Sequence, residues 1–180
     1  MEAVIKELEE DLINIINDKP TKVLRKKLKD DVDIRMLRMV IFSLQWASVG
    51  YQAALRMAGM KLGRRIGENS EKIELSLGLE EIKKIMETLR MGKVETEIIL
   101  DLKVAVLKIE DSALTASIPD IQRNLCFFEE GFIEGYFDGM IFKKGALKVR
   151  GGETSISKVN VEEQKCIGSG EPSCEFLIKF

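Results

Sequence analysis

The spacing of apolar residues changes at Lys93, and this change limits the fold classes that the chain can adopt. Before Lys93, apolar residues recur at steps of three and four, which is typical of amphipathic helices. After Lys93, stretches rich in β-branched residues alternate apolar with polar positions, as strands do. Helices first and strands afterwards are typical of the α+β class. We therefore expect N-terminal helices followed by an antiparallel sheet, with a further helix packed across it.

Helical patterns occupy most of the chain before that change. The first helix is predicted over 3–17, and the "DKP" at 18–20 ends it because proline disfavours helix in the residue before it. A short second helix is expected over 21–29. The run 34–67 predicts a long helix that is apolar almost all round in its first half, and such a helix is buried. Another helix is predicted over 78–93.

Three glycines, Gly59, Gly63 and Gly67, recur at steps of four within the long run. Glycine costs roughly 1 kcal/mol relative to alanine inside a helix, so three on one face predict that something approaches the backbone closely there. Tight packing against another helix is the structural interpretation, and Gly67 also suits the C-cap of the helix. A ligand lying against the bare backbone is the functional alternative.

The second half of the chain contains strand patterns around one more helix. The stretch 93–111 loses its alternation near Leu107, so it contains two strands or a bulged one, with Val104 and Val106 predicted on one face. A hairpin is expected around Gly151–Gly152. The two runs that flank the loop from Cys166 to Cys174 are expected to pair antiparallel.

Between these strand patterns, Pro119 predicts the start of a helix over 119–141, because proline is favoured in the first helical turn. Glu129 and Glu130 then fall on a half-exposed part of this helix. Because they are neighbours in sequence, their side chains point in different directions, and we expect no paired-carboxylate chemistry from them.

Composition excludes several classes of function. The chain carries 28 Lys and Arg against 30 Asp and Glu, so it lacks the basic excess of a nucleic-acid-binding surface. The longest uncharged run, over 39–55, contains glutamines and serines, which favours a core helix over a membrane span. With no signal peptide pattern, we expect a cytoplasmic protein that has no nucleic-acid or membrane partner. No histidine is present to act as the base of a Ser–His–Asp site, and no phosphate-binding or dinucleotide motif occurs, so an enzymatic role is uncertain.

The three cysteines are the candidate metal ligands. Because the chain has no histidine, a four-ligand site here would need three cysteines and one carboxylate. Cys166 and Cys174 are separated by seven residues, a longer spacing than in zinc knuckles, and Glu163 lies three residues before Cys166. Spacing alone leaves three interpretations open: a metal site, ordinary reduced thiols, or a disulfide.

A resemblance narrows this choice. The segments "CFFEEGFIEG", "YFDG" and "EEQKCIGSGEPSCEFLI" resemble the 4-vinyl reductase domain family over roughly residues 35–180. That family shares its fold with Golgi transport-particle subunits and with the aromatic-sensing domains of bacterial transcription regulators. The resemblance implies a ligand-binding domain of the NO-signalling and Golgi-transport type, in a stand-alone archaeal form. Residues 1–34 are then an N-terminal helical extension that we expect to form a dimer.

The resemblance also implies a structural zinc. In the sensor domains, one cysteine on a helix and a Glu-x-x-Cys-x7-Cys run hold this metal. Glu163, Cys166 and Cys174 match the run. Cys126 matches the helix cysteine because glycines follow it at the same positions as in the family. The chain between Cys126 and Glu163 is longer here, and we assign the extra residues to the region 143–158.

The resemblance further implies a pocket between the long helix and the sheet. The candidates for its lining are aromatic: Trp46, Tyr51, Phe128, Phe132 and Tyr136. Their structural alternative is to fill the core. The phenol sensors recognise their ligand with a histidine and a tryptophan. This chain has no histidine, and it has no tryptophan in the corresponding region, so a larger or more apolar ligand is an equal candidate.

The predicted function is that of a homodimeric, zinc-containing sensor-type domain that binds a hydrophobic small molecule. With no DNA-binding or ATPase domain in the sequence, its output would pass through a separate signalling partner. Two alternatives remain open. One is an interaction or assembly subunit similar to the transport-particle proteins. The other is an accessory factor in tetrapyrrole reduction.

Overall fold

The computed structural model describes residues 2–21, 25, 32–47, 49–116, 118–149 and 155–180. The helices of this part of the chain are α1 (Glu2–Ile16), α2 (Ile34–Ala47), α3 (Val49–Gly67), α4 (Leu75–Thr88) and α5 (Phe127–Lys144). Its strands are β1 (Lys93–Ile99), β2 (Val104–Glu110), β3 (Leu147–Lys148), β4 (Ser155–Ile156), β5 (Asn160–Lys165) and β6 (Cys174–Lys179). Among these elements, no helix has the length and apolarity that a membrane crossing requires.

The main sheet is antiparallel and has the strand order β1-β2-β6-β5. Helices therefore precede the sheet in sequence and α5 packs with it, which confirms the predicted α+β class. The expected pairing of the two runs around the cysteine loop is the β5–β6 pair, in which Val161 lies opposite Ile178. The strands β3 and β4 also pair antiparallel, as the predicted hairpin requires, but its turn at 150–154 lies outside the described residues.

The stretch 93–111 forms two strands, β1 and β2, which pair along their full length. A short 3-10 turn joins them, and Lys103 at its end has a left-handed conformation with φ 53°. Val104 and Val106 share one face, as predicted, but these side chains are half-buried, whereas Leu107 and Ile109 on the other face are fully buried. The reason is that the inner face of the neighbouring β6 presents Phe176 and Ile178 on that side.

The glycine pattern reflects helix packing, as its structural interpretation predicted. Gly59, Gly63 and Gly67 on α3 face the backbone carbonyls of successive turns of α5, and a Cβ at any of them would overlap with that backbone. The contact is reciprocal, because three glycines of α5 face carbonyls of α3 in the same way: Gly131, Gly135 and Gly139. The two helices therefore cross at a separation that only glycine permits.

The helix predicted from Pro119 begins later than expected. Helix α5 starts at Phe127, and the preceding segment is irregular. Gln122 has a left-handed φ of 57°, and the backbone N–H groups of Ile121 and Arg123 donate to the carbonyl of Gly168 at 2.9 and 3.3 Å. Tertiary hydrogen bonds to the cysteine loop thus replace the helical ones that the proline signal predicted.

The N-terminal helices differ in how they pack. Helix α1 matches the prediction over 3–17 and packs Ile13 and Ile16 against the core of the same chain. The short helix predicted over 21–29 lies outside the described residues, apart from Thr21 and Arg25.

Helices α2 and α3 cover the long run on either side of residue 48, which also lies outside the described residues. The prediction that the first half of this run is buried is wrong. In α2, Met36 is 55% exposed, Met39 63% and Val40 41%. A helix that is apolar on all sides is usually buried, but the described residues bury little of the apolar surface of α2.

Candidate functional site

The four predicted metal ligands converge at one end of α5. Cys126 lies just before the helix, Glu163 is in β5, Cys166 follows that strand and Cys174 begins β6. Their ligand atoms all lie within 4.8 Å of one another, and all three cysteines are buried and free of disulfides. The sulfur of Cys126 is 3.8 Å from that of Cys166 and 3.0 Å from that of Cys174. Residues distant in sequence therefore form one cluster, here called the Cys3Glu cluster.

Local backbone geometry places Cys166 in this cluster. The β5–β6 register shifts between Glu163 and Lys165, and a 3-10 turn over Ile167–Ser169 then leads to Gly170, whose φ of 84° suits glycine. The sulfur of Cys166 accepts one hydrogen bond from within this turn, from the N–H of Gly168 at 3.4 Å. It accepts another from the N–H of Leu125, just before α5, at 3.3 Å. Such donors stabilise a thiolate, the form of cysteine that binds metal.

The cluster brings four acidic groups into one mostly buried space, where burial disfavours their charged forms. Burial raises the pKa of Cys126 well above its usual value and raises the pKa of Glu163 to about 9. The hydrogen bond from the Cys126 thiol lowers the pKa of Cys174 to about 4. Glu163 Oε2 accepts from the N–H of Cys126 at 3.3 Å, but the buried Oε1 has no partner among the described residues.

This donor set fits zinc. Three thiolates and a carboxylate are ligands that zinc accepts in a tetrahedral site. With Zn–S bonds near 2.3 Å, two sulfurs of a tetrahedron lie roughly 3.8 Å apart. The separation of Cys126 from Cys166 already has this value, whereas Cys174 lies closer to Cys126. The unpartnered oxygen of Glu163 would supply the fourth donor.

A cavity of about 310 Å³ lies at the same end of α5. All five helices or their ends contribute apolar side chains to it: Leu12, Leu37, Leu62, Leu89, Phe128 and Phe132. Met91 and the loop residues Ala113 and Leu114 complete the apolar wall. The sequence predicted a pocket between the long helix and the sheet. This cavity is instead bounded by helices and by the residues just before β1 and just after β2. There the N–H of Ala113 donates to the carbonyl of Met91 at 2.8 Å.

Glu129 is the site residue that sequence analysis missed. The predicted half-exposed position is wrong, because Glu129 is 1% exposed and lines the cavity, while its neighbour Glu130 pairs with Arg56 at 3.0 Å. Burial raises the pKa of Glu129 to about 8. The signal that would have found it is helical spacing: Glu129 lies three residues after Cys126 and three before Phe132, on the inward face of α5.

The loop 112–115 joins the cavity to the cluster. Ser112 Oγ donates to Glu129 Oε1 at 3.2 Å, and Thr115 Oγ1 lies 3.4 Å from the sulfur of Cys174. The two residues between them line the cavity. One short loop therefore contacts both sites.

The chain matches no protein-family model. Among curated proteins, it is 24% identical to the uncharacterized protein MJ0150 of Methanocaldococcus jannaschii, over 99% of this chain and 91% of that protein. Among solved structures, it matches a vinyl-4-reductase family protein of Methanocaldococcus jannaschii with a TM-score of 0.59 at 15% identity, covering 98% of this chain and 94% of the other. The chain shares the fold of that vinyl-4-reductase family protein.

Other solved structures share the vinyl-4-reductase-type fold. The phenol-responsive sensory domain of the transcription activator PoxR has a TM-score of 0.57 at 16% identity, covering 96% of this chain and 89% of the other. Trafficking protein particle complex subunit 3 of Naegleria fowleri has a TM-score of 0.56 at 17% identity, covering 81% and 93%. An H-NOX protein of S. oneidensis reaches 0.52 at 12% identity, covering 99% and 93%. The predicted fold type is thereby confirmed.

Within this vinyl-4-reductase-type fold, the predicted aromatic residues separate. Phe128 and Phe132 line the cavity, with ring centroids 6.2 Å apart. Tyr136 lies one turn further along α5 in the core, where its hydroxyl donates to Glu81 at 2.6 Å. Tyr51 is half-buried on α3 and is not among the described lining residues. The side chain of Trp46 lies outside the described residues.

Proposed function

We propose that this chain is a sensor-type domain that binds a hydrophobic small molecule in the cavity and carries a structural zinc in the Cys3Glu cluster. The observation that carries the proposal is the apolar cavity of about 310 Å³ beside the start of α5. Its size and lining are those of small-molecule sites, which are mostly apolar with few polar groups. We further propose a cytoplasmic location and, for residues 1–34, a role as an N-terminal helical extension that forms the dimer.

Two structural neighbours support this function by what they bind. The PoxR domain was solved with phenol, and the trafficking subunit with covalently bound palmitic acid. Both ligands are largely apolar, and both proteins share the fold of this chain. The fold therefore accommodates apolar molecules of different shapes, which agrees with a cavity lined mostly by aliphatic side chains.

Zinc would be held by Cys126, Glu163, Cys166 and Cys174. It would supply a structural cross-link, because four protein ligands fill a tetrahedral site and leave no position for a reactive water. The residues themselves tie the start of α5 to the β5–β6 pair. Since Phe128 and Phe132 lie in the first turns of that helix, the cluster also holds part of the cavity wall in place.

The binding proposal is tested with N-phenyl-1-naphthylamine, a neutral apolar dye that fluoresces in dry sites. We expect saturable binding to the full chain and loss of binding in Leu62→Trp, which fills the cavity. The matched control, Leu77→Trp, places the same ring at an exposed position of α4 and retains binding. Equal binding by both variants would show that the dye occupies some other surface.

The zinc proposal is tested by elemental analysis of protein purified without a metal-affinity tag. We expect one zinc per chain and three thiols that react only after chelation. Three freely reactive thiols without metal would contradict it.

A second candidate function, an assembly subunit, is favoured by the exposed apolar surface of α2. Its exposed residues are Ile34, Met36, Leu37, Met39 and Val40. Contiguous apolar side chains on a protein surface mark interaction sites. An assembly subunit would bind another protein through this surface, whereas the sensor-type domain would bind a second copy of this chain. Light scattering on Met36→Glu/Met39→Glu should show a monomer where the unchanged chain is a dimer. Dimers from both proteins would exclude α2 as the interface.

A further inference from the structure

One polar side chain that lines the cavity is only partly satisfied by hydrogen bonds within the described residues. Glu129 lines it together with nine apolar residues. The side chain is buried, at 1% exposure. Ser112 Oγ donates to Oε1 at 3.2 Å, while Oε2 is buried and has no hydrogen-bond partner among the described residues. This oxygen therefore lacks a hydrogen bond that a polar group of a molecule in the cavity could supply.

An unpartnered oxygen in an apolar cavity has a large energetic consequence for binding. In the empty cavity it has lost its hydration without gaining a hydrogen bond, which destabilises the chain. A ligand with a matching polar group regains that hydrogen bond when it enters. An entirely apolar ligand leaves this oxygen without a hydrogen bond and also excludes water from it, which weakens the binding of that ligand. A site of this kind discriminates strongly against an analogue that lacks the polar group.

A hydroxyl group matches this oxygen best. Burial raises the pKa of Glu129 to about 8, so the carboxyl group is mostly protonated near neutral pH. A hydroxyl accepts a hydrogen bond from the acid and donates one to the carboxylate, so it binds either form. An ammonium group suits only the ionised form. An anionic ligand group would be repelled by the ionised form.

We propose that Glu129 is the polar anchor of the cavity and selects apolar molecules that carry one hydroxyl group. The hydroxyl would lie against Oε2 on α5, with the apolar body between Leu62, Leu89 and Leu114 on the other walls. This inference rests on the proposed binding function and adds to it the residue that decides specificity and the chemical class of the ligand.

The test compares 2-naphthol with 2-methylnaphthalene, which have nearly the same shape and differ in a hydroxyl against a methyl group. Displacement of N-phenyl-1-naphthylamine gives both dissociation constants. The unchanged chain should bind 2-naphthol at least tenfold more tightly. Glu129→Met, which keeps an unbranched side chain of similar length, should lose this preference or reverse it. Glu129→Gln keeps a donor and an acceptor and should retain it.

The matched control is Glu80→Met, which makes the same substitution at an exposed position of α4 and should leave both affinities unchanged. Equal affinities of the unchanged chain for the two compounds would overturn the anchor while leaving the binding function intact. Failure of both compounds and of the dye to bind would overturn the binding function itself. If Glu129→Met does not fold, the two affinities of the unchanged chain still test the proposal, because an anchor at Glu129 requires tighter binding of 2-naphthol there.

Discussion

At the scale of single residues, the buried acidic groups carry the chemistry of this protein. Glu163 and Glu129 both lie near the start of α5, and each has one carboxyl oxygen without a partner among the described residues. Buried polar atoms are nearly always hydrogen-bonded, so two exceptions in one region indicate binding partners that the chain itself does not provide. For Glu163 that partner is the proposed zinc, and for Glu129 it is the proposed ligand.

The first prediction concerns Glu163. Glu163→Gln replaces a charged ligand by a neutral amide, so zinc should be held at least tenfold less tightly in competition with a chelator. The loss of bound metal should also lower the thermal unfolding midpoint by several degrees. Glu171→Gln, the same substitution at an exposed position of the cysteine loop, should change neither quantity. Identical metal retention by the two variants would remove Glu163 from the ligand set.

The second prediction concerns Arg56, which joins α3 to α5. Its guanidinium contacts Glu130 at 3.0 Å and Glu134 at 2.5 Å, and both carboxylates are mostly buried. Arg56→Met leaves two mostly buried carboxylates near each other without a cation. We expect a loss of about 1–3 kcal/mol in the free energy of unfolding at neutral pH.

The same variant should show a defined pH dependence. Burial already raises the pKa of Glu130 above its usual 4.5, and removal of the guanidinium raises it further. A carboxyl group with a raised pKa in the folded state favours folding below its unfolded pKa, and this contribution is lost as pH rises through the folded pKa. The deficit of Arg56→Met relative to the unchanged chain should therefore shrink as pH falls toward 4.5. Urea titrations at several pH values measure this, and a deficit independent of pH would contradict it.

At the scale of elements, the α3–α5 pair is the rigid centre of the fold. Glycines from both helices face each other's backbone carbonyls over three turns. The helix prediction and the glycine spacing identified α3, but nothing local identified its partner. The partner is specified by matching steps of four in two segments distant in sequence, and only folding brings these segments together.

The third prediction tests this packing. Gly63→Ala places a methyl group against the carbonyl of Phe132, and since both groups belong to helix backbones neither can move alone. Alanine normally stabilises a helix relative to glycine by roughly 1 kcal/mol, but here we expect a loss of about 3 kcal/mol or more. Ala58→Gly, at an exposed position of the same helix, should cost only about 1 kcal/mol. Chemical denaturation measures both. A stabilised Gly63→Ala variant would mean that the helices are further apart.

At the scale of the whole molecule, the loop 112–115 gives the two proposed sites a common structural element. Ser112 contacts Glu129, Thr115 contacts Cys174, and the residues between them line the cavity. If metal binding changed the position of Cys174, the hydrogen bond to Thr115 would transmit this change to Ala113 and Leu114 in the cavity wall. Such a contact is the kind of link through which binding at one site alters affinity at another.

The fourth prediction follows from this link. Removal of zinc by a chelator should weaken the binding of N-phenyl-1-naphthylamine by about fivefold or more, the lower range of typical coupling between sites. Thr115→Val removes the hydrogen bond to Cys174 and should reduce this difference while both sites remain intact. Affinities measured by dye titration with and without metal give the coupling in each protein. An affinity for dye that is independent of metal would show that the sites act separately.

Sequence by itself determined the α+β class, the order of helices and strands, and the close packing at Gly59, Gly63 and Gly67. These follow from local periodicity and from the steric demands of single residue types. It also named the four residues of the Cys3Glu cluster through a resemblance, and the structure brings all four together. The class, the order of elements and the glycine spacing are set by short-range patterns, whereas the cluster was named only through the likeness to a family.

Only the tertiary structure decided which surfaces are covered. In the folded chain Glu129 is buried, α2 is exposed and α5 begins only at Phe127. The cavity is lined mainly by helices, whereas the sequence predicted a pocket between the long helix and the sheet. The physical reason is the same in each case. Periodicity indicates which residues share a face, but burial and hydrogen bonding depend on the neighbour that the fold brings to that face. The sequence contains both partners of each contact, and only the folded chain shows which of them meet.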